Sequence, residues 1–296
     1  MEKVLMIMNP YSGKRQANAF LADILELFSK RGILTTVEMT CARGDGIAIA
    51  KEFAGDYDKV VCIGGDGTLN EVINGILEGN HTTPIGYIPA GSTNDFATSL
   101  NIPKNIMQAA LAFTNSTEKL IDAGKFGDRY FSYVASFGAF TRSSFSAPQN
   151  LKNTLGRFAY FLEGVSDIST IKPYHMKIEL DSGSNVLEDD YVFGAISNST
   201  SVGGILSFDP DAVCMNDGKF EIFLVKYPKN INELNDCIRA LLSQNYSESD
   251  MIMFTTASSG TVYSPENVDW TLDGEKIDTL DVCSFENVHN ALTYLL

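Results

Sequence analysis

Three stretches of this chain combine glycine, hydroxyl and acidic residues at spacings that suit phosphate chemistry. The fullest is Gly64-Gly65-Asp66-Gly67-Thr68-Leu69-Asn70-Glu71, which follows the β-branched run Val60, Val61 and Ile63. A buried strand, a glycine turn and the first turn of a helix (here from Thr68) aim backbone N–H groups and a positive dipole end at one place, which makes an anion site. Glycine at 64, 65 and 67 can take φ > 0 and let the backbone close on a ligand. Asp66 lies inside that turn. A carboxylate repels phosphate unless a cation lies between them, so the acid implies Mg²⁺. Taken alone, the stretch also fits an ordinary strand-to-helix turn. The other two are Asn9-Pro10-Tyr11-Ser12-Gly13-Lys14-Arg15 and Pro89-Ala90-Gly91-Ser92-Thr93-Asn94-Asp95-Phe96-Ala97. Asp66 and Asp95, meeting at one sheet edge, would hold Mg²⁺ directly or through water. Asp95 also suits an N-cap for a helix starting at Phe96. Lys14 and Arg15 either neutralise phosphate or are surface charges at a helix start.

The elements that must position these loops read as alternating strands and helices. Strands are expected at 4–8, 34–39, 59–63 and 85–88. Helices are expected where Phe20, Leu21, Ile24, Leu25, Leu27 and Phe28 recur at helical spacing, and at 47–53, 71–77 and 109–113. Such alternation implies a parallel sheet covered on both faces, with ligands beyond the carboxyl ends of its strands. All three loops therefore belong on one edge. After residue 122 the pattern changes to short alternating or aromatic-rich strands at 130–136, 176–180, 191–197, 220–225 and 268–272, parted by turns such as Asp181-Ser182-Gly183. That reads as an antiparallel sandwich or barrel, with helical segments near 155–165 and 231–242. The expected organisation is an α/β domain over 1–122, a β-sandwich domain over 123–284, a cleft between them, and an apolar segment 285–296 returning to the first domain.

At 296 residues and 44% hydrophobic, the chain can bury a sizeable core, and its length favours two domains. The formal net charge of −15 argues against a nucleic-acid partner. Most of that charge lies after residue 122, with 12 basic and 23 acidic residues against 10 and 14 before it. Five cysteines without a Cys-x-x-Cys pair read as reduced thiols in a cytoplasmic protein. His81, His175 and His289 lack ligand spacing. No run approaches the ~18 apolar residues of a membrane span, so contact with a membrane would be peripheral. Segment 139–165 suits such contact: Arg142, Lys152 and Arg157 outnumber Glu163 and lie among Phe145, Leu155, Phe158, Tyr160, Phe161 and Leu162. These aromatics also suit a core.

Two further turns complete the series, Asn216-Asp217-Gly218-Lys219 and Leu272-Asp273-Gly274-Glu275. In order and spacing, over essentially the whole chain, the five motifs resemble the diacylglycerol kinase catalytic-domain family, and within it the soluble bacterial lipid kinases. That family is related to sphingosine kinases and more distantly to nicotinamide-nucleotide kinases, which share the Gly-Gly-Asp-Gly loop. The resemblance implies an α/β domain followed by a mainly antiparallel one, and ATP bound without a Walker A loop, which is absent here. By position it places Asn9, Pro10, Ser12, Gly13, Thr40, Gly65, Asp66, Gly67, Thr68, Leu69, Asn70, Glu71 and Ser92 around the nucleotide. Ser92 stands where the family usually has threonine. The resemblance makes Asp273 the base that takes the proton from a lipid hydroxyl, with Glu275 assisting; an Asp-Gly hairpin turn is the alternative. It also implies a structural Mg²⁺ or Ca²⁺ held by Asp217 and the main-chain carbonyls of Cys214 and Lys219, and a substrate loop at 203–208. The expected activity is ATP-dependent phosphorylation of a lipid hydroxyl at the membrane surface. A nicotinamide-nucleotide kinase and an inactive nucleotide-binding regulator are the competing readings. A sheet edge in the second domain offers a place for a homodimer.

Overall fold

The computed structural model describes residues 1–13, 15–92, 94–138, 171–202, 206–207, 213–264, 268–277 and 281–296. Lys14, Thr93, segment 139–165 with its helix, and most of the substrate loop 203–208 lie outside the described residues. The chain divides into two compact units.

The first unit comprises 1–123, 129–132 and 288–296. Its sheet holds β1 (Glu2–Met8), β2 (Ile33–Met39), β3 (Lys59–Gly64) and β4 (Ile85–Pro89) in the order β4-β3-β1-β2. All are parallel, with Met8 opposite both Met39 and Ile63, and Gly64 opposite Pro89. The strands end level, so their following loops share one edge. The runs Val4–Met8, Val60–Ile63 and Ile85–Pro89 are buried because helices cover both faces. These helices are α1 (Gln16–Lys30), α2 (Asp45–Phe53), α3 (Asp66–Glu78), α4 (Asp95–Ser99) and α5 (Ile106–Thr114). On one face α1 and α5 meet through Phe28 and Phe113, ring centroids 5.2 Å apart. Burying each such ring contributes about 1.5–3 kcal/mol. On the other face, α2 and α3 pack at Gly75, where a Cβ would collide with the Ile47 carbonyl.

The second unit comprises 124–128 and 133–287. Strand β5 (Glu118–Phe126) starts in the first unit and ends in the second, β6 (Arg129–Phe131) belongs to the first, and the second continues with β7 (Val134–Gly138), β8 (Tyr174–Leu180) and β9 (Asn185–Ser197). The short pair β10 (Ser201–Val202) and β11 (Leu206–Ser207) precedes β12 (Phe220–Lys226), β13 (Ile252–Ala257) and β14 (Ser259–Tyr263). Last come β15 (Trp270–Leu272), β16 (Glu275–Ile277) and β17 (Val282–Leu295). Pairing is antiparallel: the first half of β9 lies on β8, its second half on β7 and β12. Trp270 packs between Phe126 and Phe137, at 4.6 and 4.9 Å. A helix over Ile231–Ser243 begins at Asn230, whose side chain accepts the N–H groups of Asn232 and Glu233.

The α/β part with parallel strands and the mostly antiparallel second part agree with the sequence reading. Several boundaries differ. The strand expected at 130–136 is two, β6 and β7. The strand expected at 191–197 is half of β9, whose other half carries Glu188, Asp189 and Asp190. Those acids hide a strand in the sequence, yet they face Lys177, Met176 and His175 across the ladder. The last residues form the strand β17, with Tyr294 opposite Ile85. Helix α3 starts at Asp66 rather than Thr68, because Gly65 is extended (φ −94°, ψ −177°) and ends the strand.

Candidate functional site

The loops after β1, β3 and β4 are knitted together by backbone contact. Gly13 is left-handed (φ +54°), and a Cβ there would lie 2.5 Å from the Ala90 carbonyl oxygen. A Cβ on Gly91 would lie 2.6 Å from Gly65 Cα. Gly64, Gly65 and Gly67 were expected to use φ > 0, and none does. Gly64 instead makes room for Thr68, whose side chain a Cβ would meet at 2.5 Å, and Gly65 makes room for Gly91. Close approach rather than backbone handedness is what these glycines supply.

Side chains complete the fastening. Asn9 Oδ1 accepts the Tyr11 N–H (2.9 Å), turning the first loop, while its Nδ2 donates to Thr68 Oγ1 (3.1 Å). Ser12 N–H bonds back to Asn9 O, and the Pro10 carbonyl accepts from Asn18. Arg15 lies over the Tyr11 ring at 5.1 Å. The Thr40 N–H bonds to Met8 O at 2.9 Å, anchoring the end of β2, and Thr40 is buried. Leu69 and Asn70 are buried; Asn70 Nδ2 donates to the Tyr130 carbonyl, as does Asn74 Nδ2. Those two side chains therefore hold β6. Ser92 is exposed on the third loop.

Asp66 joins the two acids. Its Oδ2 accepts the Asp95 N–H (3.0 Å) and its Oδ1 the Phe96 N–H (3.4 Å), so it caps α4 from another loop. Asp95 is therefore the first residue of α4 and not its capping side chain. Two residues to which the sequence reading gave no role support this corner. Asn94, left-handed at φ +54°, accepts the Gly91 N–H and donates to the Gly91 carbonyl, both at 2.9 Å. The Tyr87 hydroxyl faces Gly64 O, Asp66 Oδ1 and Asn94 Oδ1 at 3.3–3.5 Å. Burial, with Asp66 nearby, pushes the Tyr87 phenol well above its ordinary pKa, so it stays a donor. Asparagine at a left-handed turn position is a readable signal; a strand tyrosine is not.

Glu71 points elsewhere: its two oxygens accept the N–H groups of Gly44 (2.8 Å) and Gly46 (3.0 Å) in the turn after β2. Asp45, in the same turn, accepts the N–H groups of Cys41 and Ala42, which hold its carboxyl below the ordinary range.

In the second unit, Asp273 and Gly274 form the two-residue turn between β15 and β16, both at positive φ (+50° and +84°). The hairpin alternative is thus realised, as a primed turn. It does more than turn the chain. Asp273 is 4% exposed, and its Oδ1 accepts the N–H groups of Tyr133 (3.0 Å) and Val134 (3.1 Å). That fixes a carboxylate in one orientation on a strand edge. Glu275, half-buried, opens β16.

Around Asp217 the chain makes a tight Asx turn, Oδ1 accepting the Lys219 N–H at 3.0 Å, and the Lys219 carbonyl accepts from Asn287 at 3.1 Å. One exposed carboxylate and the carbonyls of Cys214 and Lys219 are hard oxygen donors that suit Mg²⁺ or Ca²⁺. Among the described residues no group of three or more His, Cys, Asp or Glu side chains is placed to hold a metal. Glu221, four residues after Asp217, is 3% exposed and its Oε2 has no hydrogen-bond partner among the described residues. A polar cleft of about 320 Å³ opens elsewhere in this unit, beside Lys125, Glu179, Ser259 and Glu286. None of the candidate nucleotide, catalytic or metal-holding residues lines it.

Comparison with known proteins fits this arrangement. The family model for the diacylglycerol kinase catalytic domain matches residues 3–126. The chain is 32% identical to the diacylglycerol kinase of Bacillus subtilis (strain 168) over 277 residues, covering 93% of this chain and 90% of that protein. It is 31% identical to the diacylglycerol kinase of Staphylococcus aureus (strain MRSA252), covering 93% and 86%. The crystal structure of a diacylglycerol kinase from Bacillus anthracis str. Sterne superposes with a TM-score of 0.74 at 26% identity, over 99% of this chain and 96% of that one.

Proposed function

Because the chain belongs to the diacylglycerol kinase family, we propose that it transfers the γ-phosphate of ATP to the hydroxyl of a diacylglycerol-like lipid. The observation that carries this reading is the corner where Asp66 grips the Asp95 N–H at 3.0 Å, between loops that Gly13, Gly65 and Gly91 let touch. Phosphoryl transfer asks little covalent chemistry of the protein; it asks for positioned donors, neutralised charge and an aligned nucleophile.

The first intrahelical bond of α3 runs from the Leu69 N–H to Gly65 O, so the Gly67 and Thr68 N–H groups precede it in the ladder and suit phosphate oxygens. Asn9 donates to Thr68 Oγ1, which directs the hydroxyl proton away from Asn9 and toward a ligand. Ser12 and Ser92 add hydroxyls, Gly13 a close backbone, and Thr40 the far wall. Asp66 and Asp95 would hold Mg²⁺, whose charge offsets that of the phosphates when bound. Asp217 with the Cys214 and Lys219 carbonyls would hold a second, structural cation. Asp273 takes the proton from the lipid hydroxyl as that oxygen attacks, its carboxylate kept in place by the Tyr133 and Val134 N–H groups. Glu275 orients the hydroxyl. The protein is read as cytoplasmic and peripheral to the membrane; no described helix is long and apolar enough to cross one.

The test is phosphate transfer from labelled ATP and Mg²⁺ to a mixed-micelle panel of lipids, with NAD as a soluble competitor. Label in the organic phase supports the reading and names the lipid; label on NAD replaces it with a nucleotide kinase, and label nowhere with a regulator. Asp273→Asn should keep ATP affinity while kcat falls by about 10²-fold or more. Turnover near wild type would remove the base assignment.

A further inference from the structure

A tyrosine of the sheet meets the loop edge from the buried side. Tyr87, in the middle of β4 and opposite Cys62 of β3, is 2% exposed. Its hydroxyl has three oxygens around it: Asn94 Oδ1 at 3.3 Å, Gly64 O at 3.4 Å and Asp66 Oδ1 at 3.5 Å. All three are acceptors. Asn94 Oδ1 is fixed as oxygen, since it accepts the Gly91 N–H while Nδ2 donates to the Gly91 carbonyl. A phenol has one proton to give, so a single donor is shared among the end of β3, the start of α3 and the loop before α4. None of the distances is the ~2.7 Å of an undivided O–H···O bond. Asp66 meanwhile accepts the Asp95 N–H through Oδ2 and the Phe96 N–H through Oδ1. The hydroxyl therefore backs a carboxylate that ties two strand-end loops together, and Tyr87 itself is too deep to touch a ligand at the edge.

Resting on the kinase reading above, we propose that Tyr87 is a positioning residue for phosphoryl transfer: its hydroxyl holds the Asp66 carboxylate in the orientation in which it both caps α4 and meets Mg²⁺. Asp66 and Asp95 fit a hard cation, because each brings a carboxylate and the 3.0 Å bond from the Asp95 N–H sets the two residues side by side. Helix α4 is only five residues long, and so short a helix is marginal by itself. A carboxylate gripped by that helix alone would drift with it. A donor from β4 ties the carboxylate to the sheet instead, where β3 and β4 pair in unbroken register from Val60 and Ile85 to Gly64 and Pro89. Without the hydroxyl, Asp66 is correctly turned only part of the time. A cation that needs the turned form then binds with an affinity reduced by that fraction, and excess cation restores the form.

Tyr87→Phe in the full chain tests this, because phenylalanine keeps the ring and removes only the hydroxyl. In amide hydrogen exchange without nucleotide or metal, the Asp95 and Phe96 amides should exchange about fivefold faster than in wild type, the equivalent of one ordinary hydrogen bond. Amides of α1 should keep their rates. In transfer from ATP, the Mg²⁺ concentration at half-maximal rate should rise about fivefold, with kcat at saturating Mg²⁺ within about twofold of wild type. A purely structural tyrosine would lower stability and leave that Mg²⁺ dependence where it is. Faster exchange in α1 as well, or failure to fold, marks a global role and overturns the proposal. So does a rise confined to the Gly91 amide, which would assign the hydroxyl to Asn94 rather than Asp66. Unchanged exchange at 95 and 96, or an unchanged Mg²⁺ dependence, overturns it too, and the kinase reading stands as long as the wild type transfers phosphate. If the wild type transfers none with Mg²⁺ present, the kinase reading fails and the positioning role with it, even where the two amides deprotect.

Discussion

The two units hold their carboxylates in different company. In the first, Asp45, Asp66, Glu71 and Asp122 each accept two backbone N–H groups or one N–H and a histidine. For Asp66 and Glu71, those N–H groups come from a loop after a different strand. In the second, Asp273 is held by the neighbouring strand β7, and Asp181 by Ser258 and Ser259, while the buried Glu221 keeps one oxygen without a partner among the described residues. Asp66 and Glu71 fasten together loops that follow different strands of the parallel sheet. Asp273 and Asp181 each tie one turn of the antiparallel sheet to the single segment beside it. A change at the first unit's edge should therefore propagate through several loops, whereas one in the second should stay where it is made.

Glu221 is the largest departure and the sharpest test. Burial, helped by Asp217, raises its pKa from 4.5 to about 8. The folded protein keeps a proton there that the unfolded chain releases, so this stability is full below the unfolded value and is lost as pH rises toward the folded one. At most, each pH unit in that window costs about 1.4 kcal/mol, and relaxation leaves a total of a few kcal/mol. Glu221→Gln should therefore match wild type near the bottom of the window and exceed it by a few kcal/mol above it, in urea unfolding with chelator present. An unchanged pH slope would show that the carboxyl finds a donor in solution, and the contrast between the units would fade. In the first unit the corresponding amide, Glu71→Gln, should work in the opposite direction and destabilise.

Gly91→Ala against Gly274→Ala compares how the two units use glycine. At Gly91 a Cβ would meet the backbone of Gly65, which cannot step aside alone, so about 1–3 kcal/mol of overpacking should spread across two loops. Misplacing them by about 1 Å should lower kcat/KM for ATP by up to about 10²-fold. At Gly274 nothing lies within 4 Å, and the cost is backbone handedness alone at φ +84°, about 1 kcal/mol. Equal activity losses in the two variants would contradict the idea that only the first unit's edge is interlocked.

What could be read in advance follows the same division. Alternating strands and helices, and loops at the carboxyl ends, were legible because a parallel sheet writes itself as separate apolar runs: Val60–Ile63 is wholly buried. The motif residues were legible as types. Their bonding partners were not, because a carboxylate capping the turn after another strand leaves no local spacing: nothing near Glu71 in sequence points to Gly44 and Gly46. The start of α3 was misread for a related reason. Three glycines so close together look like a long loop, yet Gly67 lies in the first turn of the helix and Gly65 alone ends the strand. In the second unit β13 and β14 went unread, since strands such as Ile252–Ala257 mix buried and half-exposed positions without clean alternation.

The smallest effect comes from a histidine–aspartate pair that exists in both units. In the first, His289 Nδ1 lies 2.9 Å from Asp122 Oδ1, and Asp122 is wholly buried. In the second, His175 Nδ1 lies 2.9 Å from Asp190 Oδ1 on the open face of the β8–β9 ladder, with Glu188 also near. The hydrogen bond to Asp190, with the charges of Asp190 and Glu188, raises His175 above its ordinary 6.5. Its contribution is therefore complete below the unfolded value and disappears as pH rises through the folded one. Solvent screens an exposed pair, so only a few tenths of a kcal/mol are at stake. His175→Gln should remove a shallow rise in stability on going from pH 8 to pH 6, and Asp190→Asn should remove the same rise, with no further loss in the double variant. Additive losses would mean that His175 and Asp190 act separately and that the pair itself contributes nothing to stability.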